Sequence, residues 1–184
     1  MTTPADLMSV LTESQRLGFL GTRPIPEVIA HAQGFVAAVP QLARTVVDLG
    51  SGGGVPGLVI ARDRPDLHVT LLDRRTKRTD FLERMVRRLG WHDRVTVVAA
   101  DAARFADEHP RGFDVVVARG FGPPDVTLGY GAALVVPGGR IVISEPPTGD
   151  RWDPAGLDAN HLVRVPPTAL TRQVVIFEAA DISA

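Results

Sequence analysis

Short apolar runs alternate with amphipathic stretches along most of this chain. Apolar runs of roughly four to eight residues between turn residues are typical of buried strands, and apolar residues three or four apart are typical of helices. The pattern predicts strands at Thr45–Leu49, His68–Leu72, Val95–Ala99, Phe113–Ala118, Arg140–Ser144 and Gln173–Glu178, with helices at Gly57–Arg62, Thr76–Leu89 and Val126–Val135. Strands that alternate with helices favour an α/β fold with a mostly parallel sheet covered on both faces.

The helix predicted at Thr76–Leu89 has the clearest amphipathic pattern. Its apolar residues lie three or four positions apart and form one stripe, made of Phe81, Leu82, Met85, Val86 and Leu89. Its arginines lie largely off that stripe. We therefore expect the stripe to face the sheet and the arginines to face solvent.

Residues 1–44 predict a helical extension ahead of the sheet. Leu7, Val10 and Leu11 have helical spacing, glycines and prolines between residues 18 and 26 interrupt it, and Pro26 favours the start of a second helix. The 184 residues amount to a single domain, with the extension at 1–44 and the sheet domain at 45–184. The proline-rich stretch Glu145–Pro154 predicts a loop.

A glycine-rich segment follows the first predicted strand, with the sequence Asp48-Leu49-Gly50-Ser51-Gly52-Gly53-Gly54-Val55-Pro56-Gly57. Glycine permits positive φ angles in a sharp turn and lets a ligand approach the backbone where a Cβ would otherwise stand. The segment predicts a nucleotide-like ligand at the carboxyl ends of parallel strands. It is not a dinucleotide fingerprint, because Val55 occupies the third glycine position, and no Gly-Lys-Ser/Thr sequence closes a phosphate-binding loop.

Three acidic residues follow or end predicted strands near this segment. Asp48 precedes the glycines and can receive an ammonium group directly or through water, Asp73 can accept both hydroxyls of a ribose, and Asp101 can reach an adenine amino group. Ammonium, ribose and adenine are the polar groups of S-adenosylmethionine. The alternative is that these carboxylates only cap helices or lie in solvated loops.

Composition and charge narrow the possible functions. The chain has no cysteine, which excludes disulfides, thiolate metal sites and cysteine nucleophiles, and no metal is expected. No apolar run approaches roughly 18 residues and no signal sequence is recognisable, so we expect a cytoplasmic protein without membrane association. The net charge of −1 excludes a uniformly basic surface. Residues 74–88 nevertheless form either a local basic patch or a solvated helix face, with Arg74, Arg75, Lys77, Arg78, Arg84, Arg87 and Arg88 against Asp80 and Glu83.

The order of these features resembles that of class I S-adenosylmethionine-dependent methyltransferases, and more closely that of the RsmG/GidB family. The family consists of bacterial enzymes that methylate guanine N7 in small-subunit ribosomal RNA. The resemblance covers most of residues 17–144. The residues that resemble the family are the glycine segment with its Pro56-Gly57, Leu71-Leu72-Asp73, Thr76-Lys77-Arg78, Phe81-Leu82, Ala118-Arg119 and Leu17-Gly18-Phe19-Leu20-Gly21 with His31. It implies a Rossmann-like sheet of seven or slightly fewer strands, S-adenosylmethionine as cofactor, and 16S ribosomal RNA or the small subunit as partner of a monomeric enzyme.

The resemblance also implies roles for individual residues. Arg119 and Lys77 are implied as catalytic residues, and Lys77, Arg78 and His31 as contacts to the RNA substrate. The implied cofactor-binding residues are Asp48, Gly50, Ser51, Gly52, Gly54, Pro56, Gly57, Asp73, Arg74, Asp101, Ala102 and Arg119. Two pairs depart from the family, since Ala30-His31 stands for Arg-His and Glu145-Pro146 for Lys-Gly, and each departure removes positive charge.

Two other functions are compatible with the same residues. One is a methyltransferase of the same lineage that acts on a small molecule or on another nucleic acid, and the other is a non-catalytic protein that binds S-adenosylmethionine.

Phe121 and Trp91 are candidates for stacking on a base, although packing against the core is the alternative for both. Arg172 lies near the active face by resemblance only.

Overall fold

The computed structural model describes residues 6–145 and 151–181. In these residues the strands are β1 (Thr45–Leu49), β2 (His68–Asp73), β3 (Val95–Ala99), β4 (Phe113–Ala118), β5 (Val135–Ser144), β6 (Leu162–Val165) and β7 (Val174–Ala179). The helices are α1 (Leu7–Arg16), α2 (Ile25–Ala38), α3 (Gly57–Asp63), α4 (Thr76–Leu89), α5 (Ala102–Glu108), α6 (Pro124–Leu134) and α7 (Pro154–Ala159).

The strands form one sheet in the order β3-β2-β1-β4-β5-β7-β6. The five strands from β3 to β5 pair in parallel, and β7 runs antiparallel to both β5 and β6. The strand order reverses between β1 and β4, and ligands of open α/β sheets bind at such a point, outside the carboxyl ends of the strands. The prediction of a mostly parallel sheet with seven or slightly fewer strands is confirmed, and the described residues form seven.

Helices cover both faces of the sheet because successive strand residues point to opposite sides. Val46 and Val115 pack in a cluster with α1, α2, α3 and α4, whereas Val47 and Val116 pack in a second cluster with α5 and α6. The predicted extension, residues 1–44, thus contributes two helices to one face. Helix α4 has its predicted bounds, and its apolar stripe is buried in the first cluster.

The structure differs from the predicted elements in four places. Helix α5 was not predicted because it is short and buries only Ala102, Phe105 and Ala106. Strand β5 begins at Val135, because the turn at residues 137–139 lies within the strand, where the pairing with β4 shifts register. The short β6, which leaves Val163 exposed, was also missed. The predicted loop Glu145–Pro154 ends where Pro154 begins α7, and residues 146–150 lie outside the described residues.

Helix α1 is attached directly to the glycine segment. The hydroxyl of Ser14, which is fully buried, donates a hydrogen bond to the Gly53 carbonyl oxygen at 2.9 Å. Glu13 accepts a hydrogen bond from Arg88 of α4 at 2.6 Å. These contacts place α1 against the turn between β1 and α3. None of the helices described here is long and apolar enough to cross a bilayer.

Candidate functional site

Two adjoining cavities lie at the carboxyl ends of the parallel strands. The β2–β3 cavity, of about 350 Å³, is lined by residues that end or follow β1, β2 and β3 and by residues of α6. The β4–β5 cavity, of about 720 Å³, is lined by residues that end or follow β4 and β5 and by residues of and before α2. Gly120, Phe121 and Gly122 line both, so the two cavities meet at this segment. Both volumes lie in the range of roughly 300–1,000 Å³ that is usual for ligand sites.

The glycine segment makes a sharp turn that reaches toward β2. Gly50 and Gly52 have φ angles of 68° and 54°, in the left-handed region that glycine enters without strain. The Gly52 N–H donates a hydrogen bond to Asp73 Oδ2 at 2.9 Å, and the Ser51 N–H donates to the Leu72 carbonyl oxygen at 2.9 Å. The turn therefore fixes the carboxylate at the end of β2.

The later glycines are needed for packing inside the protein. A Cβ on Gly54 would lie 2.5 Å from Leu58 Cδ1, and a Cβ on Gly57 would overlap Leu71 and approach Asp48 Oδ2 to 2.7 Å. The predicted cofactor residues that are buried and, unlike Gly50, line neither cavity are Ser51, Gly52, Gly54, Pro56 and Gly57. Contact between these five and a cofactor stays a prediction.

Asp73 and Asp101 line the β2–β3 cavity together with Gly50, Arg74 and Ala102. Asp73 Oδ1 accepts a hydrogen bond from the Arg75 N–H at 2.9 Å, and Arg78 lies 3.5 Å from Oδ2. Each carboxylate oxygen has further acceptor capacity, so a pair of neighbouring hydroxyls can still bind there. Asp101 is exposed and caps α5 through a hydrogen bond from the Ala103 N–H at 2.9 Å, which leaves its second oxygen for a ligand.

Asp48 lies below the surface of both cavities. Its Oδ2 accepts a hydrogen bond from the Gly57 N–H at 2.9 Å, and the side chain is buried. Burial raises the pKa of Asp48 to about 7, although the Gly57 hydrogen bond and the charge of Arg119 act in the opposite direction. Contact between this carboxylate and an ammonium group stays a prediction, and its depth favours the water-mediated form.

We expect Asp48→Asn to stabilise the unliganded protein at pH 8 and to leave its stability at pH 4 nearly unchanged. The pKa of Asp48 rises from 3.8 to about 7 on folding, so the folded state holds the proton more tightly and stability falls as the pH increases between these values. The amide avoids this loss and keeps an oxygen for the Gly57 N–H. A pKa difference of one corresponds to about 1.4 kcal/mol, so a gain of about 2–4 kcal/mol is expected in urea unfolding at pH 8.

Asp114→Asn is the matched control for this prediction. Burial acts to raise the pKa of Asp114, but hydrogen bonds from the Arg44 and Thr45 N–H groups hold it below its ordinary value. Its ionised form therefore stabilises the folded state above pH 4, and Asp114→Asn should destabilise the protein at pH 8. A gain from Asp48→Asn that is the same at both pH values would show that Asp48 is not held as a buried acid.

The β4–β5 cavity brings together Arg119, His31, Arg23, Arg151 and Glu145. Burial lowers the pKa of Arg119, while Asp48 raises it and Arg23 lowers it, and a guanidinium remains charged at neutral pH. Burial, Arg119 and Arg23 lower the pKa of His31, so its ring is neutral at pH 7. The cavity therefore presents a neutral imidazole among three cations and one carboxylate.

The basic stretch between residues 74 and 88 divides into two parts. At the start of α4, the exposed Arg74, Arg75 and Lys77 take part in no ion pair within the described residues. At the other end, Arg87 pairs with Glu83 at 3.8 Å and Arg88 pairs with Glu13. Lys77 lines neither cavity, so the structure does not bring it to Arg119, whereas Arg78 reaches Asp73.

Several residues that sequence reasoning missed lie in these cavities. Arg23 and Arg151 line the β4–β5 cavity, and Tyr130 of α6 lines the β2–β3 cavity, where its ring meets that of Phe121 edge-on at 6.1 Å. Phe121 lines both cavities and also packs against the second core cluster, so its stacking on a ligand stays a prediction. Trp91 instead packs beneath Arg94, and the exposed Arg172 lines neither cavity. Pro146 lies outside the described residues.

The fold is that of the Rossmann-like class I methyltransferases. A solved structure described as an O-methyltransferase family protein from Burkholderia thailandensis superposes with a TM-score of 0.66 over 100% of this chain and 75% of that one, at 18% identity. At this identity the likeness concerns the fold alone. The strand order, the antiparallel β7 and the glycine turn after β1 are the features that define the class here.

Sequence comparison identifies the family. Residues 8–145 match the family model of rRNA small subunit methyltransferase G, GidB, and the chain belongs to this family. A protein named ribosomal RNA small subunit methyltransferase G from a Nocardioides species is 41% identical over 129 residues, covering 68% of this chain and 50% of that protein. Its namesake in Salinispora tropica is 39% identical over 140 residues, covering 72% of this chain and 58% of that protein. The chain thus spans little more than half the length of these relatives.

Proposed function

We propose that the protein is an S-adenosylmethionine-dependent methyltransferase that acts on guanine N7 of 16S ribosomal RNA. The observation that carries this proposal is the pair of adjoining cavities, one with two carboxylates suited to a nucleoside and the other with the half-buried Arg119, His31 and Glu145. The names of the relatives support methyl transfer to small-subunit ribosomal RNA, and guanine N7 as the acceptor follows from the family resemblance.

The residues of the β2–β3 cavity are suited to S-adenosylmethionine. A Cβ on Gly50 would lie 2.9 Å from Phe121, so the turn leaves no room for a side chain beside the cavity. Asp73 would accept the two ribose hydroxyls, Asp101 would accept from the adenine amino group, and Asp48 would neutralise the ammonium group through water. When bound, the cofactor supplies a methyl group on a positively charged sulfur.

Guanine N7 carries a lone pair, so its methylation requires no general base. The protein instead has to hold the base so that N7, and no other atom of the base, faces the methyl group. Arg119, at the end of β4, would donate hydrogen bonds to the guanine O6 and hold N7 toward the β2–β3 cavity. Gly120 and Gly122, which line both cavities, place no side chain at the boundary between them.

The RNA backbone would bind at the start of α4. Arg74, Arg75 and Lys77 are exposed there and form no ion pair with an acidic residue of the described part of the chain, and Arg74 and Arg75 line the β2–β3 cavity. Each lysine or arginine that neutralises a phosphate adds close to one to the slope of the logarithm of the binding constant against the logarithm of the salt concentration. Lys77 is therefore proposed as an RNA contact, and the catalytic role that the family resemblance implies for it is not part of this proposal.

The test is transfer of labelled methyl groups to 30S subunits that lack the modification, with naked 16S RNA and small-molecule extracts in parallel. We expect label in 16S RNA as 7-methylguanine. Lys77→Gln should weaken RNA binding severalfold and lower the slope of binding against salt concentration by about one. Arg87→Gln, at the other end of α4, is the matched control and should have little effect.

The outcomes separate this proposal from its alternatives. Label in a small molecule but not in RNA would indicate a methyltransferase of the same lineage with a different substrate. Cofactor binding without transfer to any of the three substrates would indicate a non-catalytic binding protein. Binding of 30S subunits that does not depend on salt would contradict the role of the α4 surface.

A further inference from the structure

Two residues that line the β4–β5 cavity each have a buried side-chain atom without a hydrogen bond. Within the described residues, the buried side-chain nitrogen and oxygen atoms without a hydrogen-bond partner are His31 Nδ1 and Glu145 Oε1. Both residues line this one cavity, from α2 and from the end of β5. Because buried polar atoms are nearly always paired, two such atoms in one ligand-sized cavity indicate groups that a ligand satisfies.

The carboxylate of Glu145 is held in place by its neighbours. Its Oε2 accepts a hydrogen bond from Trp152 Nε1 at 2.6 Å, and its backbone N–H donates to the Gln173 carbonyl oxygen at 3.1 Å. Arg151 Nε lies 3.9 Å from Oε1, too far for a hydrogen bond, and its guanidinium lies 4.8 Å above the Trp152 ring. The side chain is only 16% exposed, so its orientation is set before a ligand binds.

The cavity is therefore lined by an acceptor and by a donor. Glu145 offers a carboxylate oxygen, which accepts hydrogen bonds only, and Arg119 offers a guanidinium, which donates hydrogen bonds only. Guanine carries two neighbouring donors, N1–H and the 2-amino group, on one edge and the acceptors O6 and N7 on the other. Adenine presents an acceptor at N1, which a carboxylate would repel.

We propose that Glu145 selects guanine by accepting hydrogen bonds from the N1–H and 2-amino groups, while Arg119 donates to O6. This inference rests on the proposed function, and it assigns a recognition role to a residue that replaces the lysine expected from the family resemblance. Enzymes that act on single bases commonly recognise the Watson–Crick edge of an unstacked base in a closed pocket. His31, which lines the same cavity, would contact the ribose or phosphate of that nucleotide.

The same placement would affect the rate of transfer. As the N7 lone pair forms the new bond to carbon, the bond between sulfur and carbon breaks with its electron pair on sulfur, and the positive charge passes to the guanine ring. That charge makes N1–H a stronger donor, so its hydrogen bond to Glu145 strengthens toward the transition state. Glu145→Gln should therefore lower kcat on 30S subunits more than it raises KM.

The test compares the binding of GMP, IMP and AMP to the S-adenosylhomocysteine-loaded protein by calorimetry. IMP lacks only the 2-amino group. The wild-type protein should bind GMP about tenfold more tightly than IMP, and AMP most weakly. In Glu145→Gln the amide can still accept from Trp152 but turns a donor toward the base, so the GMP-to-IMP ratio should fall to about one.

Glu178→Gln is the matched control, because Glu178 pairs with Arg140 at 3.4 Å on β7 and lines neither cavity. It should leave the GMP-to-IMP ratio unchanged. Equal affinities for GMP and IMP in the wild-type protein, an unchanged ratio in Glu145→Gln, or no measurable binding of any nucleotide at millimolar concentration would each overturn the proposal. The comparison of GMP with IMP in the wild-type protein tests the proposal even if Glu145→Gln does not fold.

The two proposals fail in different ways. Transfer to 30S subunits without a preference for GMP over IMP would leave the methyltransferase function standing and overturn only the role of Glu145. A preference for GMP that Glu145→Gln removes, without transfer to any RNA, would support the guanine site and overturn the reaction.

Discussion

Asp73→Ala is expected to lose at least a hundredfold in affinity for S-adenosylhomocysteine. The substitution removes the carboxylate that would accept both ribose hydroxyls, and each hydrogen bond to a charged group contributes about 1.5–3 kcal/mol. It also leaves the Gly52 and Arg75 N–H groups without the acceptor they have now, at 2.9 Å each. The turn that forms the floor of the β2–β3 cavity should therefore loosen, and we expect both weaker binding in calorimetry and a lower Tm.

Asp101→Asn is the matched control for this experiment. Asp101 lines the same cavity but is exposed, and asparagine can still cap α5 through the Ala103 N–H. Its effect on affinity should stay below about tenfold, because one exposed hydrogen bond to a neutral amino group is a smaller contribution. Retention of affinity within threefold in Asp73→Ala would show that the ribose does not bind at the end of β2.

Arg119→Ala is expected to lower kcat by about 10²–10³ while the affinity for S-adenosylhomocysteine changes less than threefold. A donor that holds a reacting group in place in a water-poor site contributes on this scale. Arg119 lines the β4–β5 cavity and not the β2–β3 cavity, which is why cofactor affinity should survive. Single-turnover transfer to 30S subunits, together with calorimetry, measures the two effects separately.

Two further variants make the result specific to Arg119. Arg119→Lys keeps the charge but loses the planar pair of donors, so it should recover only part of the rate. Arg172→Ala removes an exposed arginine that lines neither cavity and should leave kcat unchanged. If Arg119→Ala instead loses the cofactor, Arg119 belongs to the cofactor site and the proposed contact to guanine is wrong.

Much of the fold was predictable from local pattern because its central elements carry their own signal. The bounds predicted for α4, β1, β3 and β4 are those observed, and each element combines a clear period with turn residues at its ends. The elements that were missed, α5, α7 and β6, are four to seven residues long. Segments this short form because they pack on an existing sheet, so their own sequences carry little periodicity.

The candidate site was predictable where its residues come from strand ends. Asp73, Asp101 and Arg119 follow or end parallel strands, and such ends necessarily meet at one edge of the sheet. Lys77 illustrates the opposite case. It stands four residues after Asp73 in the sequence, but on the first turn of α4 it lines neither cavity.

The sequence by itself determined the α/β class, the family and the glycine turn, because these depend on residue order and on periods of a few residues. Only the tertiary structure placed Ser14 beneath Gly53, and His31, Arg119 and Glu145 around one cavity. These residues are far apart in the chain, and no local pattern encodes the distances between them. Whether a glycine serves a ligand or the core is likewise decided by what a Cβ would meet, as the positions of Gly50 and Gly57 show.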